Sequence, residues 1–267
     1  MFLKKLHYFT SIFLFISTHL AAQDLPSHPV FDLNYVLKHK IDEVIIQDSF
    51  AVGASQFSTK TLTLDFDRGG LLVKTVHLFN NSPDTREMWY YYYNNDRRLV
   101  RKEARYLTDT IRQQIEWTID TLRNLPVTKI ATFRDENGEK QGEKQSTLHW
   151  TGDSVCIEHY LNDGKFDITK FDAQRREIEL VNTYQKKYNE NNQIEWIKYI
   201  DCRNKEAKAA AVTNFIFDAE KRLIRIEEGD KTTTKFSYNA NGHVTRQVVT
   251  DAKGKTKSIT TFTYAFY

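Results

Sequence analysis

Three short constellations carry residue types that could do chemistry. Gly152-Asp153-Ser154 sets a serine hydroxyl beside a carboxylate, the raw material of an acyl-transfer nucleophile. The triplet interrupts two strand-like segments, however, and reads as a turn. His149, Cys156 and His159 are metal-ligating types close in sequence. On a strand, successive side chains alternate in face, so Cys156 points away from His159, and no second cluster completes four ligands. Glu158, Asp163 and Asp167 would be the acids of a hydrolase, but nothing in their spacing pairs two of them. No catalytic residue, metal or cofactor is therefore expected, and the chain reads as a non-enzyme.

The densest remaining feature is Trp89-Tyr90-Tyr91-Tyr92-Tyr93. If it is a strand, at least two of these rings lie on its wetter face. Exposed aromatic surface suits stacking on a sugar ring or a partner strand. The candidate binding residues are thus Trp89, Tyr90, Tyr91 and Tyr92, extended by Trp117, Trp150 and Trp196 if these share the face. The plainer alternative is a sheet covered by large rings on both sides.

The elements that must position these residues announce themselves by a recurring unit: an aromatic, Asp or Asn, two more residues, often Gly or Asn, a polar residue, then an aliphatic. Copies start at Phe66, Tyr93, Tyr160, Tyr188, Phe217 and Tyr238, with looser ones at Phe133 and Phe171. The Phe66 copy counts one residue short, ending at Leu71, and the Phe171 copy one residue long. In the clearest copy, Asn239 opens a type I turn and Gly242 takes the left-handed conformation that closes a three-residue hairpin loop with a bulge. Tyr238 then faces Val244. Arg97 and Lys221 stand where Gly stands elsewhere, which predicts weaker turns or another loop type there.

Flanking segments alternate as half-buried strands do, for example 60–66 and 257–264. Second turn candidates, such as Asn80–Asp84, Glu228–Asp230 and Asp251–Gly254, fall between the patterned ones. The fold class expected is all-β: an extended antiparallel meander of consecutive hairpins forming a twisted, curved sheet, open or partly closed. Residues 32–39 read as one or two helical turns or an irregular cap, 41–46 as a first strand, and the Ala-rich 205–211 as a loop or strand extension.

The first residues have the layout of a cleavable export signal: Lys4 and Lys5, an apolar run from Phe9 to Ile16, then Ala21-Ala22. The run is shorter than the roughly 20 residues a membrane helix needs. Removing residues 1–22 takes two lysines and no acid, so the formal charge falls from +3 to +1. Both signs are interspersed, which excludes a dedicated nucleic-acid face. The division expected is 1–22 signal peptide, 23–56 N-terminal cap and first strand, and 57–267 hairpin-repeat domain. Export permits a Cys156–Cys202 disulfide, but two small apolar fillers fit equally well.

The units resemble the YD or RHS-type repeats of secreted and cell-surface bacterial proteins, whose core is Tyr-Asp, a Gly-containing turn and an aliphatic residue. That resemblance implies a long antiparallel sheet of stacked hairpins, which in the large members curls into a shell around a toxic cargo. Here the copies are few, their spacing is irregular and no cargo or self-cleaving domain is evident. The expectation is an exported, non-enzymatic protein of the periplasm, outer surface or extracellular space. It would not span the membrane, and it would bind a glycan or an envelope protein through its sheet face. A structural module of a surface assembly, or a hydrolase on the concave face, is the alternative.

Overall fold

The computed structural model describes residues 33–51, 57–80, 86–106, 110–123, 125–200 and 212–267. The expected signal peptide, Cys202 and segment 205–211 lie outside them. A short helix α1 (Leu33–His39) leads into β1 (Ile41–Ala51), β2 (Phe57–Phe66), β3 (Leu72–Phe79), β4 (Glu87–Tyr93), β5 (Leu99–Tyr106) and β6 (Thr110–Asp120). There follow β7 (Leu125–Arg134), β8 (Lys140–Thr151), β9 (Val155–Tyr160), β10 (Phe166–Phe171), β11 (Glu177–Leu180) and β12 (Tyr184–Tyr188). The last are β13 (Ile194–Tyr199), β14 (Val212–Phe217), β15 (Leu223–Glu227), β16 (Thr233–Tyr238), β17 (Val244–Thr250) and β18 (Thr256–Phe266).

Each strand pairs antiparallel with the next, so the hairpin meander is present from end to end. The decisive extra pairing is β1 with β18, running from Ile41↔Phe266 to Phe50↔Ser258. It closes the 18 described strands into a β-barrel. The first strand read from 41–46 is present, and it is the seam of the ring, lying between β2 and β18.

Register sorts the side chains. Val44, Ile46 and Asp48 share a face with Leu62 and Leu64 of β2 and with Phe262 and Tyr264 of β18. These apolar residues join Val36, Tyr91, Leu223 and Val244 in one cluster, which makes this face the inner one: β4 and β15 meet β1 only across the barrel. Helix α1 seals this end, with Val36 fully buried. Two smaller inner clusters follow along the ring, Leu148, Cys156 and Phe171 against Trp150, and Leu180, Tyr184 and Ile197. Polar inner residues, among them Lys102, Lys129, Glu158 and Gln247, are also buried.

Six copies of the repeated unit, those headed by Phe66, Tyr93, Phe171, Tyr188, Phe217 and Tyr238, build turns at the α1 end. The Asx side chain accepts from the backbone N–H two and four residues on: Asn94 from Asp96 and Arg98, Asn189 from Asn191 and Gln193, Asn239 from Asn241 and His243. The aromatic then faces the aliphatic across a bulge, as in Tyr93↔Leu99, Tyr188↔Ile194, Phe217↔Leu223 and Tyr238↔Val244. Phe66 pairs with Leu72 and Phe171 with Glu177, so the copies counted as short and long both have the regular length. Arg97 and Lys221 adopt the left-handed conformation (φ 61° and 65°), so the second loop type suggested for them is not used. Two copies depart from the pattern. Around Phe133 the bulge pair is Arg134↔Lys140, and Tyr160 does not face Phe166, whose partner is His159.

Tyrosine at the head of the unit has a further role that phenylalanine lacks. The Tyr93 hydroxyl donates to the Leu72 carbonyl at 2.8 Å, Tyr188 to Glu177 at 3.1 Å and Tyr238 to Leu223 at 2.8 Å, and Tyr264 on β18, which heads no copy, donates in the same way to Val244 at 2.7 Å. Each acceptor is the residue just past the previous hairpin's turn. The residue before it covers the same ring: Arg176 lies 4.4 Å from the Tyr188 ring centre, and Arg222 lies 5.2 Å from that of Tyr238. The unit therefore shapes its own turn and fastens it to its neighbour.

Candidate functional site

The ring divides the seven expected binding residues between its two faces. Tyr91 is buried inside. Trp89 shares that inner face, its Nε1 donating to Glu87 at 2.6 Å. Lys102 approaches both Trp89 (5.4 Å) and Trp117 (5.9 Å), which places Trp117 inside as well. Trp150 faces inward on β8, stacked near Phe171 and donating to the Pro126 carbonyl at 2.8 Å. Tyr90, Tyr92 and Trp196 point outward. The condition that Trp117, Trp150 and Trp196 share one face is not met.

On the outer face of β4 and β5, Tyr90 and Tyr92 belong to a closed polar cluster. Arg105 lies 4.7 Å from the Tyr90 ring centre and Arg101 lies 4.0 Å from that of Tyr92. Between them Glu103, only 3% exposed, accepts from Tyr92 at 3.1 Å and from Arg105 at 2.9 Å. The Glu103 hydrogen bond is the main reason that the Arg105 pKa is raised. With guanidinium groups against these rings, less of their surface is left for stacking on a ligand.

A recess of about 670 Å³ opens instead at the rim opposite α1, where β8 meets the β9–β10 turn. It lies within the usual range of ligand sites, about 300–1,000 Å³. Lys144, Tyr160, Asp163, Lys165, Phe166 and Asp167 line it, together with amide-bearing Gln145 and Asn162. The turn that carries these groups is fastened to β8: Asn162 donates to the Glu143 carbonyl at 3.1 Å and accepts from the Gln145 N–H at 3.2 Å. Phe166 is 57% exposed, its ring centre 5.8 Å from that of His159. The Tyr160 hydroxyl donates to Asp167 Oδ2 at 2.7 Å. Burial, and next this hydrogen bond, push its pKa up, so it stays a protonated donor. The Lys165 backbone N–H, then its ammonium, hold the Asp163 carboxyl below its ordinary range.

The three acids weighed for hydrolysis fall in or beside this recess. Glu158 is the cross-strand partner of Asp167 but lies deeper, its Oε1 accepting from Lys129 at 2.8 Å. Asp163 is paired with Lys165 at 3.0 Å. The recess was only partly legible in sequence. Its acids are visible, but Tyr160 reads in the sequence as the head of an ordinary copy, whereas in the fold it does not face Phe166, which lies on the outer side opposite His159.

Gly152-Asp153-Ser154 is an exposed turn, with Asp153 held between Arg123 at 3.5 Å and Arg175. His149 and His159 sit edge to face on the outer side, ring centres 5.4 Å apart, whereas Cys156 is buried inside. The alternation argument for that trio is borne out. Among the described residues no group of three or more His, Cys, Asp or Glu is arranged to hold a metal ion, and no helix is long and apolar enough to cross a membrane.

No family model matches the sequence, and no curated protein matches it either. Among solved structures, the chain is similar to a porin-like protein from Bacteroides uniformis (TM-score 0.36, 10% identity, covering 85% of this chain and 97% of that one). It is also similar to the TcdB2-TccC3-Cdc42 complex (TM-score 0.31, 9% identity), where it covers 78% of this chain but spans only 15% of that one. A third similarity is to a DUF1329 family protein from Desulfovibrio piger (TM-score 0.27, 9% identity, covering 88% and 91%).

Proposed function

We propose that this is an exported, non-enzymatic binding protein of the cell envelope or extracellular space, and that it takes a carbohydrate segment at the β8–β10 rim. The observation that carries the reading is the exposed Phe166 ring beside a fixed set of hydroxyl, carboxylate, amide and ammonium groups in one recess. An apolar ring face suits the C–H face of a sugar, and preformed donors and acceptors suit its hydroxyls. Export is supported by the basic, apolar and small-residue order of residues 1–22. Arg101, Glu103 and Arg105 on the outer face of β5 suit an aqueous setting better than a lipid one. Binding without turnover is supported by the ion pairs of Glu158 with Lys129 and of Asp163 with Lys165, which leave Asp167, held by the Tyr160 hydroxyl, as the one acid of the three not paired with a lysine.

A glycan array followed by titration calorimetry tests the reading. Phe166→Ala should weaken binding of any captured glycan at least ten-fold, and Tyr160→Phe should weaken it several-fold, with unfolding midpoints within a few degrees of the parent. Binding that survives Phe166→Ala but falls in Tyr92→Ala would move the site to the outer face of β4 and β5. Turnover of a captured glycan would replace the reading with the hydrolase alternative.

A further inference from the structure

The base of the barrel brings together two histidines 204 residues apart in sequence, His39 in the last turn of α1 and His243 in the β16–β17 turn. His39 Nδ1 and His243 Nε2 lie 3.1 Å apart. The ring centres are 4.7 Å apart and the rings are inclined at 77°. With the proton on one ring this contact is an N–H···N hydrogen bond, and with neither nitrogen protonated the same two atoms are close enough to share a cation. A head-on N–H···N hydrogen bond at this length puts the ring centres about 5.4 Å apart, because each centre lies roughly 1.15 Å behind its nitrogen. Two rings converging on one metal at about 2.0–2.1 Å put their nitrogens roughly 3.0–3.4 Å apart and, for a 3.1 Å separation, their centres about 4.8 Å apart. The observed 4.7 Å is below the head-on value, so the rings are not aligned nose to nose, and it is close to the spacing of two rings that share one cation.

We propose that His39 and His243 form a two-histidine site for a borderline divalent transition cation of the Zn²⁺, Ni²⁺ or Cu²⁺ class, which clasps helix α1 to the base of the barrel. The surroundings are built to hold both rings. Tyr35 lies 4.6 Å from the His39 ring, and its hydroxyl donates to the Gly242 carbonyl at 3.1 Å while accepting from the Val244 N–H at 3.3 Å. Gly242 keeps the turn in its left-handed form (φ 80°), and a Cβ there would come within 3.7 Å of His39 Cε1. Tyr264 and Phe266 pack against His243 at 5.2 and 5.0 Å. Both rings are half-buried, so water can complete the coordination shell. The clasp is independent of the proposed carbohydrate site, which lies at the opposite rim.

Calorimetry and thermal unfolding of the untagged full chain test the clasp, with Zn²⁺, Ni²⁺ and Cu²⁺ as probes and Mg²⁺ and Ca²⁺ as controls. We expect one equivalent of transition metal to bind, Cu²⁺ most tightly, with a rise in Tm that a chelator reverses and no response to the oxygen-seeking controls. His39→Gln and His243→Gln should each weaken binding at least ten-fold. The double variant His149→Gln/His159→Gln, which removes the outer-face pair, should leave binding unchanged. X-ray absorption at the zinc edge should count two imidazoles on the parent and one on His39→Gln, a readout that survives even if His243→Gln fails to fold. No binding by the parent overturns the proposal, as does binding that persists in His39→Gln but vanishes when His149 and His159 are replaced.

Discussion

At the scale of single residues, the repeated unit separates what a turn requires from what its neighbour requires. The fourth residue after the aromatic is left-handed in copy after copy, whether it is Gly242, Asn192, Arg97, Arg175 or Lys221. For a residue with a Cβ that conformation costs about 1–2 kcal/mol, of which glycine's larger unfolded-state entropy gives back about 0.5–1 kcal/mol. Lys221→Gly should therefore stabilise the chain by about 0.5–1 kcal/mol, read from the shift of a urea midpoint at unchanged slope. Arg97→Gly should gain less, because the Arg97 guanidinium also donates to the Gly69 carbonyl and that bond would be lost. The tyrosine hydroxyl is a different kind of term. It leaves the turn alone and ties one hairpin to the next, so Tyr238→Phe should cost about 0.5–1.5 kcal/mol. Faster amide exchange should appear at the β14–β15 hairpin that holds its acceptor, Leu223. Equal protection in parent and variant would show that the hydroxyl contributes nothing there.

At the scale of elements, hairpins were legible because both their causes are local: alternation over a few residues and Asx chemistry within five. Tyr188, Phe217 and Tyr238 face the partners their spacing dictates. Which face of a strand turns inward is not local: alternation splits the aromatic run between two faces, as observed, but does not say that Trp89 and Tyr91 are the inner pair or that Trp117, Trp150 and Trp196 divide between the faces. The identity of inner polar residues was equally hidden, since alternation predicts an apolar inner face and β3 breaks that rule with His77, only 8% exposed. Burial, with the Lys60 ammonium second, pushes its imidazole down to about 4. In the unfolded chain the value is about 6.5. Above that value the ring is neutral in both states and its contribution is complete. As pH falls toward 4 only the unfolded chain gains a proton, so stability drops by about 1.4 kcal/mol per pH unit, roughly 3 kcal/mol in all. Chemical unfolding at a series of pH values should show this decline in the parent, while the difference between parent and His77→Gln narrows as pH decreases. A difference that stays constant from pH 7 to about 4.5 would mean that the imidazole titrates normally in the fold.

At the scale of the whole molecule, the closing pair is the one feature that no hairpin rule contains. β1 and β18 meet across more than two hundred residues, and their registration is visible only once the ring is complete. Two effects oppose each other at this seam. Joining such distant segments carries a chain-entropy cost, but that cost grows only by about 0.6 kcal/mol for each doubling of loop length. Against it, the seam buries Ile41, Val44 and Ile46 almost completely, worth about 1.5–3 kcal/mol each. The length of the intervening chain therefore adds little against these buried side chains, and the amides of β1 should be as protected from exchange as those of β2 and β3. The margin rests on few side chains, which makes it separable from the rest of the fold. Ile46→Ala should cost about 2–5 kcal/mol through the cavity it leaves beside Leu62 and Phe262. Its exchange rates should rise along β1 and β18 while the β6–β7 ladder keeps its protection. An opened seam would also bare two strands of 11 residues each, β1 and β18, as edges able to pair with a second copy. The variant should then elute as oligomers at high concentration, where the parent does not. If protection instead falls equally around the ring, the barrel opens as one cooperative unit and the seam has no separate stability.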